Sequence, residues 1–115
     1  MKLPVFVENS RIPVWLSYFS PIRIKAISLG LIVFGRGTLD EATRRHETIH
    51  FRQWVELGFV FFPVLYLFFW LREKLLGATG AEAYLAIPFE REAYAYEAVK
   101  GYLDYRKPYA WWHFR

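Results

Sequence analysis

The chain predicts a mainly helical fold with a small β element, an α+β domain, on three observations. The pentapeptide "HETIH" at 46–50 lies in a stretch of helical periodicity, the run from 57 to 71 carries no charge, and a glycine-punctuated, β-branched stretch at 22–37 precedes both. A length of 115 residues suits one domain with a modest core, so 1–115 is read as a single unit.

Residues 1–21 hold Pro4, Pro13 and Pro21 among aromatics, which favours an extended arm. In "IRIKAISLGLIVFGRG", 22–37, alternation gives way to a longer apolar run with Gly30 inside, so the segment is one strand with a bulge or a tight hairpin about Gly30. Residues 38–100 form the helical core. Thr38 or Asp40 caps its first helix, Asp40 and Glu41 favour the positive end of the dipole, and His46, His50, Gln53 or Trp54, and Leu57 share a face. The run "LGFVFFPVLYLFFWL" at 57–71 spans about 22 Å as a helix, short of the ~30 Å hydrocarbon core, and Pro63 interrupts its middle. It is read as a buried or half-inserted helix that ends at Arg72 and Lys74. A third helix starts at Pro88 and breaks at Gly101, and residues 101–115 form a C-terminal tail without a clear period.

Apolar residues make up 55% of the chain, and 11 Phe, 8 Tyr and 5 Trp are more ring than so small a domain readily hides. Part of that surface is expected to face lipid or a partner. With no cysteine, any metal must be held by histidine and carboxylate. The net charge is +4, yet Arg44-Arg45 and Arg106-Lys107 are the only adjacent basic pairs, so a nucleic-acid partner is not expected and a membrane surface fits the basic balance. The N-terminus, broken by Pro4, Glu8 and Pro13, does not read as a signal peptide. The expected location is the cytoplasm or the periphery of a membrane.

Residues four apart on a helix lie on one face, so His46 and His50 can both aim an imidazole nitrogen at one Zn2+. Glu47, about 100° round the helix from His46, is placed to take a proton from a water on that metal and return it to a leaving amine. Two histidines need a third ligand, and a carboxylate on another element is the natural one. "FEREAYAYE" offers Glu90, Glu92 and Glu97. Glu92 is favoured because Ala93 and Ala95 beside it let two helices close around a metal; Glu90 is the alternative ligand.

HETIH at 46–50 followed by Glu92 in "REAYAYE" resembles the gluzincin branch of zinc metallopeptidases, in particular minimal gluzincin scaffolds related to the catalytic cores of integral-membrane metallopeptidases. Small bacterial HExxH proteins with "RHE..H.RQ" and "FEREAYA" segments are similar over about residues 26–112. The resemblance implies a minimal zincin-like core, a zinc held by His46, His50 and Glu92, Glu47 as general base and acid, and a peptide or protein substrate paired with a rim strand at 26–34. In that pattern a polar group four residues after the ligand glutamate orients the first histidine; here the position is Tyr96.

Tyr94, Tyr96, Tyr102, Tyr105 and Tyr109 are candidates for an oxyanion donor. His113, folded back on the tail, would occupy the open position of the metal. Arg44, Arg45 and Arg52 read as solvated helix charges and Trp54 as packing. The expected activity is zinc-dependent peptide-bond hydrolysis, and the alternative is a non-catalytic membrane-surface or assembly protein with a structural zinc.

Overall fold

The computed structural model describes residues 3–13 and 26–115; residues 14–21 of the expected arm and 22–25 of the expected strand lie outside that range. The described residues form strands β1 (Val5–Val7), β2 (Ala26–Leu29) and β3 (Ile32–Gly35), then helices α1 (Glu41–Glu56), α2 (Phe61–Leu75), α3 (Gly80–Ala86), α4 (Pro88–Tyr96) and α5 (Tyr102–Tyr105), and a 3-10 helix at Ala110–Phe114. The fold is mainly helical with a small sheet, as the sequence predicts.

The strand order is β1-β3-β2, with β3 parallel to β1 and antiparallel to β2. Of the two readings of 22–37, the hairpin is the one formed: Gly30 turns the chain at φ +74°, and a Cβ there would stand 3.3 Å from the Phe59 ring. Within the expected extended arm, Val5–Val7 form the third strand of the sheet, whereas Ile12 and Pro13 are helical. The Glu8 carboxylate accepts from the Leu39 amide and from Arg44, both at 2.6 Å, tying β1 to the start of α1.

Asp40 caps α1 by accepting from the Thr43 amide at 2.8 Å. The expected helix over 57–71 begins later and runs further. Gly58 and Phe59 take left-handed φ values of +66° and +67°, and α1 and α2 meet there at 111°. Pro63 therefore falls in the first turn of α2, where its missing N–H has no intrahelical partner to lose, and not in the middle of a helix. α3 fills the stretch between the expected second and third helices. Its signal is the reciprocal capping box in which Thr79 accepts from the Glu82 amide at 3.1 Å and Glu82 accepts from the Thr79 amide at 2.8 Å. Pro88 opens α4, and Gly101, at φ +82°, precedes α5.

Phe62 and Phe69 of α2 pack with Ile87, Phe89 and Trp111, the Phe89 ring lying 4.7 Å from Phe62 and 4.8 Å from Trp111. Ile49 of α1, Ala93 of α4 and Tyr102 of α5 make a second cluster. Ala93 is fully buried, so the small side chain lets α1 and α4 close on each other. No single helix among the described residues is long and apolar enough to cross a membrane, and α1 with α2 meets that condition only as a bent pair.

Candidate metal centre

The close approach of α1 and α4 brings three buried side chains to one point. His46 and His50 sit one turn apart on α1 with their Nε2 atoms 3.2 Å from each other, and Glu90, in the first turn of α4, holds Oε1 3.1 Å from the first and 3.0 Å from the second. All three residues are buried. Zinc bonds of about 2.0–2.2 Å in tetrahedral arrangement put neighbouring ligand atoms about 3.3 Å apart, close to the triangle formed here. The three residues could hold a metal ion.

The protons point the same way. Gln53 donates through Nε2 to the Phe89 carbonyl at 3.1 Å and to Glu92 Oε1 at 3.0 Å, so its Oε1 must face His50 Nδ1, 2.7 Å away. That oxygen only accepts, so the His50 proton sits on Nδ1 and a neutral ring turns the lone pair of Nε2 toward Glu90. At His46, Nδ1 lies 3.5 Å from Glu97 Oε1, which favours the same tautomer. Lone pairs from two imidazoles and a carboxylate then converge in a buried space, and only an added proton or a cation relieves them.

Without a cation, protons supply the relief. Burial alone would push the His50 imidazole down, but the Glu90 carboxylate outweighs it and raises the pKa to about 9. For Glu90, burial works against the charge, and the two histidines still hold the carboxyl well below its ordinary range. Tyr66 of α2 donates to the other oxygen of Glu90, Oε2, at 2.7 Å. Glu47 differs from its neighbours: it is buried, burial pushes its pKa up, and its carboxylate makes no hydrogen bond among the described residues. The ring of Tyr94 stands edge-on to His46 at 4.5 Å, with its hydroxyl 2.9 Å from that of Tyr84.

Of the residues the sequence singles out, His46, Glu47, His50, Glu90 and Tyr94 come together. Glu92 does not join them, and this corrects its expected role as third ligand. It is fully buried on a different face of α4, bound by Arg106 Nε at 2.6 Å, by the Tyr102 hydroxyl at 2.7 Å and by Gln53. Those bonds occupy both carboxylate oxygens. Tyr96 likewise does not orient His46; its ring stacks on Tyr102 at 4.0 Å and 3°. His113 is exposed on the 3-10 helix and is not part of the group. β2 is an outer strand of the three and packs against α1, so the expected rim segment borders the histidine helix.

Sequence reasoning misses Tyr66, the supporting role of Glu97, and Arg106. Tyr66 carries the one hydroxyl in the apolar run 57–71, a signal that could have found it. Arg106 gives no such signal, because its partners Glu56 and Glu92 are distant in sequence; it donates to Glu56 at 2.7 and 3.1 Å while holding Glu92. No family model, curated protein or solved structure matches the chain.

Proposed function

We propose that the protein is a zinc-dependent metallopeptidase whose metal is held by His46, His50 and Glu90 and whose general base and acid is Glu47. The observation that carries this reading is the convergence of two imidazole lone pairs and a carboxylate oxygen, within 3.0 to 3.2 Å of one another, beside a buried carboxylate with no hydrogen bond of its own among the described residues. Zinc bound there would lower the pKa of a water and polarise a scissile carbonyl. Glu47 takes the proton at a carboxylate oxygen. Burial has already raised its affinity for that proton, and the acid so formed delivers it to the departing amine nitrogen. Gln53 and Glu97 hold the two rings with Nε2 aimed inward, and Tyr66 holds the Glu90 carboxylate. Tyr94, whose ring stands edge-on to His46, is the candidate donor to a developing oxyanion.

One observation favours the alternative, a zinc that joins α1 to α4 without hydrolysis: Glu47 is only 6% exposed, as is His46. Elemental analysis and a fluorescence-quenched peptide library separate the two readings. About one zinc per chain is expected in the wild type, lost in His50→Ala and Glu90→Ala and kept in Glu47→Gln, with cleavage abolished in all three. Zinc retained without cleavage by the wild type would support the structural site, and no zinc after metal is supplied would remove both.

A further inference from the structure

We propose that the outer face of α2 docks onto an anionic lipid bilayer, lying in the interface and not crossing it. From Phe61 to Leu71 α2 is apolar all round, a pattern proper to a helix covered on every side. Its inner side is covered, since Phe62 and Phe69 are buried and Tyr66 reaches Glu90. Its outer side is not. Phe61, Val64, Phe68, Leu71 and Leu75 repeat at intervals of three and four residues and are 62%, 60%, 55%, 44% and 88% exposed.

The same spacing would suit a helix from a second copy, but two features favour lipid. Val60 and Leu67, also exposed, flank the repeat where a coiled coil carries charges that choose a partner, so the face is broad and uncharged as far as Leu71. The helix has 15 residues, about two heptads, against the three or four that a stable coiled coil needs. Charge then selects the kind of bilayer. No charged residue occurs between Leu57 and Leu71, the far end carries Arg72, Glu73 and the exposed Lys74, a net charge of one positive unit with Glu73 3.4 Å from Arg72, and the chain as a whole carries +4. Such a face is attracted to anionic headgroups, and two copies of it would meet with like net charge.

The hairpin tip extends the surface. Leu29 and Leu31 are exposed on either side of Gly30, which lies against Phe59 at the corner before α2. Phe59 is held there at a positive φ, a conformation unfavourable for a bulky residue, and it stays partly exposed. Because Tyr66 points inward from the same helix, the metal centre stands about one helix diameter, roughly 10 Å, from the lipid-facing side.

Flotation of the full chain with vesicles tests this, using phosphatidylglycerol mixed with phosphatidylcholine and phosphatidylcholine alone. The wild type is expected to float with the anionic vesicles, less with the neutral ones, and less as salt rises. Val64→Glu with Phe68→Glu is expected to lower the partition by about a hundredfold or more, what burial of two such side chains is worth, while circular dichroism and melting show the fold intact. Failure of the wild type to float with either vesicle overturns the proposal, as does equal flotation of the double variant. A wild-type dimer that the double variant dissolves, with no flotation, would assign the face to a second copy and overturns it too. Zinc content and peptide cleavage are not read in this experiment, so its failure leaves the metallopeptidase reading untouched.

Discussion

Glu90 and Glu92 are two residues apart on one helix and face different neighbours, because that spacing turns a side chain through about 200°. Glu90 meets the histidines of α1, whereas Glu92 meets Arg106 and supports the ring of His50 only through Gln53. Alanine at each should therefore give opposite results. Glu90→Ala should lose zinc, whereas Glu92→Ala should keep it at weakened affinity but lose about 3 kcal/mol of stability, since the nearly inaccessible Arg106 side chain keeps only Glu56 as an ionic partner. Zinc stoichiometry and urea unfolding of both variants check this. Protons should compete with the metal at His50. Its pKa is raised to about 9, so in the metal-free protein the stability it contributes is fully present below about pH 6.5 and lost as pH rises through about 9. Zinc takes only the unprotonated ring, and its apparent affinity should climb by up to about tenfold per pH unit until that pKa is passed. A chelator competition at pH 6.5, 7.5 and 8.5 would reveal a flat profile if His50 were not a ligand.

At the scale of elements, the corner between α1 and α2 decides what each helix can do. Gly58 holds φ +66° with nothing within 4 Å of where a Cβ would stand, so Gly58→Ala meets backbone strain and no clash. A loss of about 1 kcal/mol in urea unfolding is expected, with zinc content per folded chain unchanged. This corner is not legible in the sequence, because Phe59 at φ +67° goes against the local preference of its own residue type. The histidine helix, the turn at Gly30 and the start at Pro88 are legible, each being marked by a residue whose backbone or cap requirement is local; the helix that Pro88 opens ends at Tyr96, short of the expected break at Gly101. α3 is equally marked, by the reciprocal capping box of Thr79 and Glu82. The choice between Glu90 and Glu92 cannot be read from "FEREAYAYE", since it depends on which side of α4 meets α1, and that is decided by packing around Ile49 and Ala93.

For the whole molecule, a zinc held by His46, His50 and Glu90 would join two helices that otherwise rely on a small cluster of buried residues. Metal bound at a thousand times its dissociation constant adds about 4 kcal/mol to the folded state. Chelation should therefore lower the melting temperature of the wild type, added zinc should restore it, and His50→Ala should respond to neither. A wild type whose melting ignores chelator would be incompatible with a metal joining α1 to α4. The ties of Arg106 to Glu56 and Glu92 also order events in time. Synthesis adds the histidines first, then Glu90, then Arg106, so Glu92 is made before the guanidinium that holds it and, through Gln53, the ring of His50. A pocket built on those bonds is complete only once Arg106 has docked on Glu56 and Glu92. Without that docking the two imidazoles lose part of their support.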